Sequence, residues 1–217
     1  MVARAVGKAE GAPGRREQRK REVRDALYAA ATRLIEAQGY EAVSIEQVVQ
    51  AAGVAKGTFF NHFPSKADLV AEWYSRVIEH TLEDYRPGRA RDLAGRLVHL
   101  ATASNRRGQE APALWQAKNT LALSSPAIQA AERDGDAAIE RFAAKLVREA
   151  TQAGEIRADV DAGAFAALYT SLVTGVVRQW LVVGRVPSIE RLLRERIGAL
   201  VALAASGVAP GGAKGRK

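Results

Sequence analysis

The sequence predicts an all-α protein of about nine helices, and three observations carry that prediction. No alternation of apolar and polar residues persists for more than a few positions in the 217 residues, so no strand is signalled. Apolar residues recur instead at three- and four-residue spacing along most of the chain. Serine, aspartate, proline and glycine punctuate these runs where helices would begin and end. A hydrophobic share of 47% is ordinary for a globular core.

Residues 1–16 mix glycine with small and basic residues and read as a disordered basic arm. Arg15, Arg16, Arg19, Lys20, Arg21 and Arg24 then form a dense basic run. A solubilising tail and a contact with nucleic-acid phosphates both fit it. The first helix carries Val23, Leu27, Ala30 and Leu34 on one stripe towards Gln38, and Gly39 ends it. Tyr40 and Val43 close a small core beside it. Ser44 and Gln47 form a capping box, and Ile45, Val48, Val49 and Ala52 give the second helix one apolar face. Gly53 suits a turn that needs positive φ between two closely crossing helices. From Ala55 to His62 there is room for about two helical turns. Phe59 and Phe63 face the core there, leaving Lys56, Gly57, Thr58 and Asn61 outward. This is the pattern of a helix-turn-helix whose second helix offers a small, polar, positive end to a groove.

Pro64 closes that helix, and Ser65 with Asp68 opens a fourth, which bears Leu69, Val70, Trp73, Val77 and Leu82 towards Tyr85 before Pro87-Gly88 stops it. At about 20 residues it spans roughly 30 Å. The domain boundary is expected inside it: a helix-turn-helix domain over 17–66, with helix 65–85 connecting to a helical domain over 67–206, and a basic disordered tail over 207–217. Such a rigid connection transmits force where a Gly/Ser tether does not. Helices are predicted from about Arg89 to Arg106, from Ala111 to Leu123, and from Ser125-Pro126 to near Gly154, with Gly135 a candidate break. Asp161 opens an apolar helix over Ala164–Val183, and Ser188 opens the last, to about Ala205.

The Ala164–Val183 segment has apolar residues on every side. Central burial in one chain and pairing across a dimer both accommodate that. Ser171 and Gly175, at small-xxx-small spacing, would permit a close helix crossing. The dimer reading uses Leu168, Leu172, Gly175 and Val176 with Ile189, Leu193, Ile197 and Leu200 of the last helix.

The run AAGVAKGTFFNHFPSKADL, Ala51 to Leu69, resembles the signature of the tetracycline-repressor-like (TetR/AcrR) transcriptional regulators. The likeness covers about the first third of the chain, Arg19 to roughly Tyr85. Two positions depart from the pattern. Phe60 stands where the family usually has a tyrosine whose hydroxyl meets a phosphate, and Ala55 where a Ser or Thr often caps the recognition helix. The resemblance implies a dimeric, ligand-responsive repressor. It would bind a near-palindromic stretch of double-stranded DNA and leave it when a small apolar or amphipathic effector occupies the C-terminal helices. The DNA-facing set is then Arg19, Arg21, Ser44, Lys56, Gly57, Thr58, Phe60, Asn61, His62 and Lys66. His62 and Lys66 are read as phosphate donors, a buried and satisfied histidine being the alternative for the first. The implied cavity would draw on Trp73, Trp115, Phe142, Tyr169 and Trp180. The competing reading is a DNA-binding or architectural protein with no small ligand, controlled by a protein partner.

Charge agrees with a nucleic-acid head. Of the net +8, residues 1–66 hold 11 Lys/Arg against 7 Asp/Glu, while residues 67–213 are nearly balanced at 18 against 17. The absence of cysteine excludes disulfides, thiolate metal sites and cysteine nucleophiles. His62, His80 and His99 lie far apart, and neither a G-x-S-x-G nor a Walker motif occurs. No enzyme, cofactor or metal is therefore expected. With no export signal and no apolar run near 18 residues, the expectation is a soluble cytoplasmic protein away from membranes.

Overall fold

A computed structural model describes residues 14–183 and 188–205, and these form nine helices. The arm before Gly14, the Gly184–Pro187 connection and the basic tail beyond Ala205 lie outside the described residues. The chain divides into two compact units between Leu69 and Val70.

The first unit contains α1 (Arg15–Gln38), α2 (Ile45–Ala52), α3 (Lys56–Phe60) and the opening of α4 (Lys66–Glu83). Helix α1 begins at Arg15, so the basic run is the helix's own first turns and not an unstructured arm. Its buried stripe is Leu27, Ala30, Ala31 and Ile35, whereas Leu34, expected inside, is only half-buried. Apolar residues on both sides of that stripe left its rotation open. Ser44 and Gln47 make the capping box, each satisfying a backbone N–H of the other. Gly53 ends α2 in the left-handed region at φ 68°, where a side chain would be strained. Val43, Val48, Val49, Phe59 and Phe63 complete the core.

The second unit holds the rest of α4 with α5 (Leu93–Gln109), α6 (Pro112–Leu121), α7 (Pro126–Gln152), α8 (Ala162–Val182) and α9 (Ile189–Ala204). Helix α8 packs along α7, and α9 lies against α5 and α8. Side chains of Asp92, Ser125, Asp161 and Ser188 cap the N-termini of α5, α7, α8 and α9. Gly135 does not break α7. It gives room to Tyr74 and Ile78, since a Cβ there would lie 3.2 and 3.3 Å from their side chains. The described residues show no strand beyond one isolated antiparallel bridge, Ile156 to Ala205.

Three residues expected at a dimer interface belong to the chain's own core. Ile189, Leu193 and Ile197 are 6%, 0% and 0% exposed, because this face of α9 is the one turned onto α5 and α8. Leu168 is exposed, as is Gly175, and Leu172, Val176 and Leu200 are half-buried. Leu203, which the sequence reading left aside, is 76% exposed. Among the described residues no close crossing uses Gly175, since none of their atoms lies within 4 Å of a Cβ placed on it. Helix α8 has the length and composition of a membrane span, yet it carries Arg178 and buries Phe165, Tyr169, Val177 and Trp180 inside the unit.

Candidate nucleic-acid interface and buried cavity

Phe59 and Phe63 anchor the short α3 by burying their rings against the first unit's core, at 0% and 1% exposure. That fixes which face looks outward. Thr58, Asn61 and His62 then share an open groove of about 410 Å³ with Arg16, Glu17, Arg19 and Lys20 of α1. Arg24 holds the two elements together. Its guanidinium donates to the carbonyl of His62 at 2.6 Å and lies 4.3 Å from the centre of the Phe63 ring. Partial burial lowers the His62 pKa, and the charges of Arg24 and Lys20 lower it further. The groove combines cations for phosphates with short polar side chains that suit base edges.

The remaining predicted contacts are placed as follows. Gly57 is exposed on α3, and Phe60 is 48% exposed with its edge against Phe59. Lys56 is exposed and paired with Glu46, whose pKa that hydrogen bond lowers. Arg21 is exposed but does not line the groove; Arg16 and Lys20 do, which the chosen set omitted. Ser44 is exposed, with its hydroxyl oxygen accepting from the Gln47 N–H as a cap. Lys66 differs from the expectation. Its ammonium donates to the carbonyls of Tyr40 at 2.6 Å and Val43 at 2.8 Å, and it lies 4.1 Å from the Tyr40 ring centre. It clasps the turn before α2 to the start of α4, and two of its three N–H groups are spent there.

The second unit holds a partly open cavity of about 70 Å³. Trp115 and Tyr169 line it, as the sequence suggested, together with Leu100, Val173 and Val177. Three other aromatics do not. Trp73 packs edge-on against Trp115 at 6.2 Å, Phe142 likewise meets Tyr85 edge-on at 4.8 Å, and Trp180 borders a separate outer groove of about 310 Å³. Their helical phase is right for burial, but burial is not the same as lining. The Tyr169 hydroxyl is also committed, donating to the Leu97 carbonyl at 2.9 Å.

Polar groups that periodicity did not single out shape the rest of the wall. Lys118 is 6% exposed, donates to Glu132 at 2.5 Å, and lies 4.5 Å from the Tyr74 ring centre. Arg178 reaches the same carboxylate at 3.3 Å. Burial lowers the Lys118 pKa, and the bond to Glu132 opposes that; burial and the nearby Glu132 charge raise that of Asp136. Asn105, Trp115 and Thr170 line the cavity, and each keeps one buried atom, Nδ2, Nε1 and Oγ1, without a hydrogen-bond partner among the described residues. A lone Asn or Thr at core phase on an apolar helix was the available signal. Among the described residues no cluster of three metal-ligating side chains occurs.

Residues 27–73 match the family of bacterial regulatory proteins known as the tetR family. Over 67 residues the chain is 40% identical to the transcriptional regulator TcmR of Streptomyces glaucescens, covering 31% of this chain and 30% of that one. Over 128 residues it is 34% identical to the transcriptional repressor KstR of Mycolicibacterium smegmatis, covering 57% and 59%. The matched stretches thus span less than two thirds of these relatives. The fold is similar to that of the regulator FadR of Bacillus subtilis, solved in complex with stearoyl-CoA. There the TM-score is 0.63 at 18% identity, over 82% of this chain and 97% of that one, a likeness of fold alone.

Proposed function

We propose that this chain, whose residues 27–73 match the tetR family of bacterial regulatory proteins, is a dimeric DNA-binding repressor of that family, released by a small molecule. The groove between α1 and α3 carries the reading. Arg16, Arg19 and Lys20 would hold phosphates while Thr58 and Asn61 reach base edges in the major groove. The two recognition helices of a dimer would sit about one DNA turn apart, roughly 34–36 Å, and so select a near-palindromic site. The partially exposed strip of Leu168, Leu172, Gly175, Val176, Leu200 and Leu203 would form the subunit contact. The setting this implies is the bacterial cytoplasm, where the DNA is.

Helix α4 links effector to operator in this proposal. It bears Lys66, which clasps the turn before α2, and further along Tyr74 and Ile78, which line the cavity. A molecule that shifts Tyr74 and Ile78 would move the helix on which the DNA-reading unit is built. Linkage requires ligand and operator to weaken each other by the same factor, about 5–150-fold for a coupling of about 1–3 kcal/mol. Titrating a labelled operator with the protein, with and without a bound compound, measures that factor. The modest cavity keeps one alternative in play, a DNA-binding regulator controlled by a protein partner. That alternative holds if every compound shown to occupy the second unit leaves operator affinity unchanged.

A further inference from the structure

We infer that the effector is an uncharged molecule with a carbonyl-type acceptor head, read by Asn105, Trp115 and Thr170. This rests on the reading of the second unit as an effector domain. The charges at the cavity are already balanced. Lys118 and Arg178 both meet Glu132, with Asp136 alongside, giving two cations and two carboxylates. A charged ligand would add an uncompensated buried charge, which costs far more than a neutral one.

Hydrogen-bond donors, in contrast, are in surplus. Asn105, Trp115 and Thr170 are 3%, 6% and 6% exposed, and their Nδ2, Nε1 and Oγ1 atoms lack partners among the described residues. The indole N–H can only donate, the amide nitrogen only donate, and the hydroxyl can do either. What satisfies this set is an oxygen acceptor, as in a ketone, ester or amide. A buried donor left unpaired is costly, so a ligand that pairs these donors removes that cost on binding.

Size limits the head. A cavity of about 70 Å³ is roughly half of the 150 Å³ that accepts benzene, so it seats only a few heavy atoms. Asn105 also borders the outer groove of about 310 Å³, beside Thr102 and Trp180. An apolar tail would leave the cavity past Asn105 into that groove.

Three linear eight-carbon probes differ in the head: 2-octanone, octanoate and octylammonium. Binding to the full chain is followed by ligand-observed NMR, with thermal unfolding as the check on folding. We expect 2-octanone to bind about tenfold or more tighter than either ion, a difference of about 1.4 kcal/mol. Thr170→Val, which keeps the shape and removes a hydroxyl, should weaken 2-octanone about fivefold and leave octylammonium unaffected, and Trp115→Phe, which removes the indole N–H together with ring volume, should weaken 2-octanone as well. Tighter binding of either ion, no binding of any probe at its solubility limit, or donor variants that fold and bind 2-octanone as before would each overturn the inference. The wider reading stands apart from these outcomes. An operator complex released by a charged compound would keep the repressor and discard the carbonyl head, whereas a chain that binds no operator would discard the repressor whatever the probes do.

Discussion

Lys56 opens α3 and Lys66 opens α4, yet their ammonium groups do different things. Lys56 is exposed on the outward face, with an equally exposed Glu46 as partner. Phosphate can replace that partner, because exposed pairs in water are weakly held. Lys66 is half-buried, and its bonds go to the Tyr40 and Val43 carbonyls. Lys66→Ala should therefore lower stability by about 1–3 kcal/mol through two carbonyls left unpaired. Lys56→Ala should leave the unfolding curve in place, weaken specific and random DNA alike, and lower the salt slope by roughly one. Thermal unfolding and salt titrations of both variants check this. The opposite assignment, Lys66 altering only the salt slope, would return it to the phosphate-contact role. Sequence could place both lysines near the groove, but the direction of a flexible side chain depends on carbonyls 23 and 26 residues earlier.

At the scale of the element, two glycines test how the helices of the second unit approach one another. Gly108 near the end of α5 faces the Trp115 ring, and an added Cβ would come within 2.4 Å of it. The indole is held edge-on by Trp73 and cannot swing aside cheaply. Gly108→Ala should cost about 1–3 kcal/mol by overpacking, more than the roughly 1 kcal/mol that alanine gains in a helix. Gly135→Ala meets Tyr74 and Ile78 at 3.2 and 3.3 Å, a distance that small adjustments relieve, so squeeze and helix propensity should nearly cancel. Denaturant unfolding of the two variants should separate them clearly. Local devices such as the Ser44–Gln47 box, the Gly53 turn and the caps of α7 and α9 were legible because they involve residues three or four apart. The inner face of α9 was not. Leu192, Leu193, Leu200 and Leu203 surround that helix, and periodicity reveals a stripe without saying what covers it. The cavity's donors were hidden for a related reason: Asn105, Trp115 and Thr170 meet only after three different helices have packed.

For the whole molecule, the proposed function makes dimerisation and DNA binding stand or fall together. Leu168 and Leu203 are exposed in the single chain, so Leu168→Asp with Leu203→Asp should leave helical content unchanged. If they cover a subunit contact, the variant should run as a monomer in light scattering and bind a two-half-site DNA far more weakly. Leu193→Asp should instead unfold the second unit, since that side chain is wholly buried. A double aspartate variant that stays dimeric would move the interface elsewhere.

The central claim is that the groove between α1 and α3 reads DNA sequence, and enrichment from a random duplex library tests it most directly. The full chain should select a near-palindromic motif with half-sites about one helical turn, roughly 10 base pairs, apart. Asn61→Ala should relax the motif at particular positions, with a loss of about 1–3 kcal/mol there. Lys20→Ala, which removes a groove cation, should lower recovery evenly without changing the motif. Enrichment of no motif, or of one that survives Asn61→Ala and Thr58→Ala intact, would contradict the account.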